Sequence, residues 1–171
     1  MEVALKEIQH DNIQIVKPWL IDKDNAQFLD PFFQNEDLRD EQLAFFLMRR
    51  DKRTFLIICD DIPVGIMGLT KIDEKNKSAE IWSVIGNLEY RKKGVSTTGF
   101  ILTLHKAFYD LNLHSVSGWA AESNFTIKIF HKLGFKCIGR QRECHLFDGI
   151  FKDRILFDIL HQEFKSNFLH K

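Results

Sequence analysis

The chain is 171 residues long, 44% hydrophobic and 28% charged, with no net charge at pH 7. This length and apolar content, with sixteen phenylalanines, exclude a disordered or fibrous chain and predict a single domain over residues 1–171 with a substantial core. Overall neutrality argues against a general nucleic-acid binder. Met1 to His10 contains Glu2, Lys6 and Glu7 with no apolar h-region, and no later run approaches ~18 uninterrupted apolar residues, so neither export nor membrane insertion is expected.

Cys59, Cys137 and Cys144 form an odd set without C-x-x-C spacing, so neither a disulfide framework nor a metal site is expected, and a reducing cytoplasm fits. Residues 1–80 carry 11 basic and 16 acidic side chains, a balance of −5, whereas residues 81–171 carry 13 and 8, a balance of +5. The asymmetry suits an anionic ligand beside the second half, and a difference of this size also arises by chance in ordinary domains.

Val3 to Ile8 alternates as a short strand, Asn12 to Ile21 has mixed helical spacing interrupted by Pro18, and Asp24 to Asn35 reads as irregular. Leu38, Leu43, Phe46 and Leu47 predict a helix from Glu36 to Arg50, acidic at its start and basic at Arg49-Arg50. Thr54 to Cys59 and Val64 to Leu69 form a hairpin across Asp60-Asp61-Ile62-Pro63, and Ser78 to Ile85 is a third strand. Phe100, Leu104, Phe108 and Leu111 then give a helical stripe. Ser115 to Ala121 is the next strand, followed by a helix from Asn124 to Leu133 with Ser123 as N-cap and Gly134 as C-terminal cap. Phe135 to His145 and Phe151 to Leu160 form a last antiparallel pair joined across Asp148-Gly149. The strand-helix-strand step over residues 81–121 implies a parallel crossover, so the expected class is α/β, a mixed sheet with helices packed on it.

Between the third strand and its following helix lies Tyr90-Arg91-Lys92-Lys93-Gly94-Val95-Ser96-Thr97-Thr98. Amides without intrahelical partners, the positive end of the macrodipole and a glycine that admits close backbone approach make an anion-binding loop; an ordinary cap with solvated charges is the alternative reading. The spacing Arg-x-x-Gly-x-Ser resembles the (Gln/Arg)-x-x-Gly-x-(Gly/Ala) signature of the GNAT family of N-acetyltransferases. Glu122-Ser123-Asn124-Phe125-Thr126-Ile127-Lys128-Ile129-Phe130-His131-Lys132-Leu133-Gly134-Phe135 is similar to that family's second cofactor segment. Phe147-Asp148-Gly149-Ile150-Phe151-Lys152-Asp153-Arg154-Ile155-Leu156-Phe157 resembles the closing hairpin of its subgroup acting on ribosomal-protein N-termini and amino sugars.

The resemblance covers roughly residues 50–160 and implies an acyl-CoA N-acyltransferase fold: a central, mostly antiparallel mixed sheet flanked by about four helices. It departs from the family pattern at three positions. Ser96 stands where Gly or Ala is usual, Ser123 stands at the Asn position with Asn124 one residue late, and Phe130 replaces the tyrosine that often acts as general acid.

The resemblance implies acetyl-CoA as cofactor, held by Arg91, Lys92, Lys93, Gly94, Val95, Ser96 and Thr97 at the pyrophosphate. Ser83, Val84 and Ile85 would align the thioester, and Asn124, Phe130 and Lys132 would flank the cofactor from the second helix. An attacking amine must be neutral although an alkyl ammonium has a pKa of roughly 10, which calls for a base. Glu80 is the candidate, its neighbours Ala79, Ile81 and Trp82 desolvating it; an edge-strand carboxylate facing solvent is the alternative. Ser123, Tyr90 or water would protonate the departing thiolate, which needs little help at a pKa of roughly 8.5. Tyr90 and Tyr109 otherwise read as packing residues.

Asp30, Phe32 and Phe33, with Glu36, Asp37 and Asp40, are candidates for binding a cationic acceptor; loop packing accounts for them as well. Cys144-His145 point to opposite strand faces and read as structural. The expected activity is direct acetyl transfer from acetyl-CoA to a primary amine of a small molecule, amino sugar or protein N-terminus, by a monomer or homodimer. An acyl-CoA-binding sensor with weak or no turnover is the alternative, and a phosphate-binding NTPase is a third, poorly supported reading because the chain lacks the Gly-Lys-(Ser/Thr) ending.

Overall fold

A computed structural model of the chain describes residues 1–35, 37–147 and 149–164. Its centre is a seven-stranded sheet in the order β1-β2-β3-β4-β5-β7-β6, made of Val3–Glu7, Arg53–Cys59, Ile62–Asp73, Ser78–Ile85, Ser115–Ala121, Lys136–Phe147 and Ile150–Leu160 numbered along the chain. Every neighbouring pair is antiparallel except β4 and β5, which run parallel through the crossover helix α4, Val95–His105. The expected mixed sheet and parallel crossover are therefore present.

Alternation along the strands sends side chains to two separate apolar layers. Leu56, Ile66 and Val84 face helices α1 (Ile13–Ile21), α2 (Lys23–Ala26) and α3 (Asp40–Leu47), where Val16, Leu20 and Leu43 are fully enclosed. Ile57, Met67, Ile81, Val116 and Phe157 face the other way, onto α4 and α5 (Thr126–Leu133). Burying a leucine or phenylalanine side chain contributes ~1.5–3 kcal/mol, so these layers hold the sheet rigid between them.

Turn chemistry follows the sequence closely at the β2–β3 hairpin, where Asp60 (φ 48°) and Asp61 (φ 66°) both take the left-handed conformation that a tight hairpin turn requires. Elsewhere local expectations yield to context. Helix α1 continues through Pro18, at the cost of one backbone bond, because Val16 and Leu20 on either side are locked into the core. The segment read as irregular contains α2, started by Asp22 accepting from the Asp24 amide, and a 3-10 turn Pro31–Gln34, started by Asp30 accepting from the Phe32 amide at 2.9 Å.

Helix α3 is shorter than the predicted Glu36 to Arg50. Gln42 accepts from the Arg39 amide at 3.0 Å and fixes the start, while Arg49 pairs with Asp51 in a turn that leads into β2. Leu38 is buried ahead of the helix, and Glu36 lies outside the described residues. Helix α4 widens into a π-helical turn, Lys106–Asp110, before the chain enters β5. The hairpin residue Asp148 likewise lies outside the described residues.

Candidate active site

Pairing between β4 and β5 covers only Ser78 with Ser115, Ala79 with Val116 and Glu80 with Ser117. Beyond Glu80 the strands separate, and β4 continues to Ile85 bound only to β3. The Gly86 amide donates to the Val64 carbonyl, which fixes the alternation: Val84 and Trp82 direct their peptide groups toward β3, while Ile81, Ser83 and Ile85 direct theirs into the gap. A cleft of about 730 Å³ occupies this gap and runs from Glu80 and Lys71 past Ser83 to the start of α4.

At that far end, Lys92 (φ 62°) and Gly94 (φ 87°) are left-handed. The first amide of α4 with an intrahelical partner is that of Thr98, which donates to Gly94; among the described residues those of Val95, Ser96 and Thr97 take no backbone carbonyl. Alternating handedness followed by three free amides forms a concave donor surface suited to a phosphate. An ideal Cβ on Gly94 meets nothing within 4 Å, so its positive φ, not crowding, requires the glycine. The Arg91 side chain is spoken for: its Nη2 donates to Asn25 Oδ1 at 3.0 Å and to the Ile85 carbonyl at 3.3 Å.

The other wall is α5. Asn124 Oδ1 accepts from the Thr126 amide at 2.9 Å, so Asn124 caps this helix. Phe130 is 1% exposed and its Cζ lies 2.7 Å from where a Gly118 Cβ would stand. Gly118 is thus the vacancy in β5 that admits the ring.

On the sheet face opposite α4, Glu80 accepts from Lys71 Nζ at 3.0 Å. Beside it Lys52 is buried, donates to Thr70 Oγ1 at 2.9 Å and lies 3.9 Å from the Phe46 ring; burial pushes its ammonium below the usual lysine range. Arg154 on β7 stacks 4.0 Å from the Trp119 ring and directs Nε and Nη2 at His145 Nδ1, 3.2 and 2.7 Å away. His145 Nε2 in turn donates to the Gln27 carbonyl, tying β6 to the segment after α2. Burial, reinforced by Arg154, holds His145 below the usual histidine range against the opposing pull of Gln27.

The profile of the family described as acetyltransferase (GNAT) domain matches residues 4–136. The chain belongs to the GNAT acetyltransferases. Membership makes acetyl-CoA the acyl donor, and the free amides at α4 and the opened β4–β5 gap fit its pyrophosphate and its thioester arm. No individual curated protein sequence is significantly similar to the chain.

Among solved structures, a mutant of the Vibrio cholerae spermidine N-acetyltransferase SpeG superposes with a TM-score of 0.83 at 20% identity, over 97% of this chain and 98% of the other. The same enzyme in complex with CoA and spermine gives 0.83 at 19%, over 94% and 96%. A dodecameric form gives 0.80 at 21%, over 94% of both chains. At such identity these likenesses establish the GNAT fold.

Against this GNAT site the sequence expectations divide. Glu80, Ser83, Val84, Ile85, Arg91, Lys92, Gly94, Ser96, Thr97, Asn124, Phe130 and Lys132 all border the cleft, as do Asp30 and Phe33. Ser123 is exposed and lies off the cleft, which removes it as the leaving-group acid and, with Asn124 capping, as the N-cap. Val95 is fully buried and Lys93 lies toward the Tyr90 ring, so neither side chain borders the cleft. Val84 offers a buried side chain, and its peptide faces β3; the amides turned into the gap are those of Ser83 and Ile85. Phe32 does not itself line the cleft and stacks at 4.0 Å on Phe46, which does. Asp40 pairs with Lys17, and Asp37 stands exposed.

Of the neighbours named for Glu80, Ala79 and Ile81 point to the α4 side of the sheet, and Glu80 shares its face with Trp82 and the Lys71 ammonium. Sequence reasoning gave no role to Lys52, Lys71, Trp119 or Arg154. The first three lie outside any motif and Arg154 lies within the closing-hairpin segment without being singled out; only strand order places the four together.

Proposed function

We propose that the protein transfers the acetyl group of acetyl-CoA directly to a primary amine of a small molecule, with Glu80 receiving the amine proton. The observation that carries this reading is the end of β4–β5 pairing at Glu80 and Ser117, which opens one continuous cleft from that carboxylate to the free amides of Val95, Ser96 and Thr97. Bound acetyl-CoA supplies the activated thioester carbonyl. Glu80, directly or through one water, accepts a proton as the amine nitrogen attacks the carbonyl carbon; the Ser83 amide donates to the carbonyl oxygen as negative charge develops there, and collapse breaks the C–S bond to release the CoA thiolate, which takes a proton from water. The α4 amides hold the pyrophosphate and fix the thioester against β4, converting an encounter into a positioned reaction.

Spermidine and spermine, named for the structural relatives, make a polyamine one acceptor candidate beside an amino sugar and a peptide N-terminus. A cytoplasmic location fits three free cysteines. The sensor reading draws on Phe130, which brings no hydroxyl to the cleft. Calorimetry with acetyl-CoA, followed by thiol release with a panel of amines, tests the proposal: saturable binding with CoA release upholds it, binding without product favours the sensor, and no binding refutes both.

A further inference from the structure

Resting on the acetyltransferase reading, we propose that the acceptor is a small primary amine that also carries an anion, a carboxylate or phosphate, and that Arg154 reads this anion. Among the described residues the cleft is bordered on the side of Glu80 by three cations, Lys52, Lys71 and Arg154, and two carboxylates, Asp30 and Glu80, while Asp24 adjoins Asn25, which accepts from Arg91 at the α4 end. A polycation selects a net negative site; one carrying both signs suits an amine and an anion in the same molecule.

The charges are also not equally available. Glu80 is paired with Lys71, and Asp30 accepts from the Phe32 amide. Arg154 is half-buried, flat on Trp119, with Nε and Nη2 aimed at His145. Its Nη1 takes no partner among the described residues. A guanidinium fixed by stacking and by a histidine lone pair, with one edge left open in a cleft, is pre-organised for an oxyanion.

Position supports the assignment. Glu80 pairs with Ser117, while the guanidinium lies over Trp119, two residues further along β5, a step of ~7 Å. Glu80, Trp119 and Arg154 share one sheet face, because Ser117, Trp119 and Ala121 alternate to the same side and Ala121 pairs with Arg154. An acceptor with its nitrogen at Glu80 thus meets Arg154 with a group placed several bonds away. Lys52, whose ammonium has no carboxylate within bonding distance among the described residues, adds positive potential at the same end.

The test uses matched pairs: glucosamine 6-phosphate against glucosamine for phosphate, and lysine against cadaverine for carboxylate, with spermidine as the polycation. Binding to CoA-saturated protein is measured by calorimetry, and acetyl transfer by kcat/KM. The expected result is at least a ~10-fold preference for the anionic member of one pair, its identity naming the anion, and loss of that preference in Arg154→Gln with partial recovery in Arg154→Lys. Unaltered CoA affinity in both variants shows that they are folded. Tighter binding of cadaverine and glucosamine than of their anionic counterparts, tighter binding of spermidine than of either anionic acceptor, or a preference that survives Arg154→Gln overturns the inference. Arg154-dependent anion binding without acetyl transfer would sustain it while defeating the catalytic reading, so the two failures are separable.

Discussion

Glu80 and Ser117 form the last parallel pair between β4 and β5, and the candidate site begins where that pairing stops. The same residue therefore closes the ladder and stands at the mouth of the cleft, on the face where Trp82, Trp119 and Arg154 also emerge. If Glu80 is the proton acceptor, Glu80→Gln lowers kcat ~10²-fold near pH 7. The defect should shrink as pH rises toward the amine's own pKa, with acetyl-CoA affinity unchanged. A pH-independent loss would assign Glu80 to positioning.

Gly94 sits at φ 87° with open space around it. Gly94→Ala should cost about 1 kcal/mol of stability through the left-handed backbone alone and weaken acetyl-CoA modestly. Gly94→Glu should abolish saturation in calorimetry, because it adds a carboxylate against the α4 amides.

Phe130→Tyr does not restore a general acid. The ring's Cζ already presses on Gly118, and a hydroxyl there would run into the β5 backbone. The expected outcome is a loss of ~1–3 kcal/mol in chemical denaturation with no gain in kcat.

His145 is held below its ordinary value of 6.5, first by burial. The unfolded chain then binds more protons than the native one as pH falls below that value, so the stability His145 contributes is full above about pH 6.5 and is lost on acidification toward its native pKa. His145→Gln keeps an N–H for the Gln27 carbonyl without titrating. Melting temperatures followed from pH 7.5 to pH 5 should fall less steeply in the variant than in the parent.

Lys52 keeps a charge in an apolar setting with a hydroxyl as its hydrogen-bond acceptor. Lys52→Met should be neutral to ~1 kcal/mol more stable by urea denaturation, since the desolvation cost is removed. Acceptor KM should rise at the same time, and unchanged KM would separate Lys52 from the site.

Much of this fold was legible along the chain because its decisive features are local. Asp60-Asp61 marks a tight turn, Arg91 to Thr97 marks a helix start with free amides, Gly134 marks a helix end with φ 87°, and strand alternation assigns the two apolar layers. Boundaries slipped where packing outweighed propensity, as at Pro18 inside α1 and at the early stop of α3. Asn124 displaced Ser123 as cap because the backbone turn places the Asn oxygen at the Thr126 amide.

The sequence by itself pointed to a candidate phosphate-binding loop, a candidate base and the family, since each rests on residues close together in the chain. Only the tertiary structure brought together the residues proposed for the acceptor end. Lys52, Glu80, Trp119, His145 and Arg154 come from five strands or their borders, and nothing in local periodicity couples them. The strand order β2-β3-β4-β5-β7-β6 brings them to one face, and the split between β4 and β5 leaves that face open.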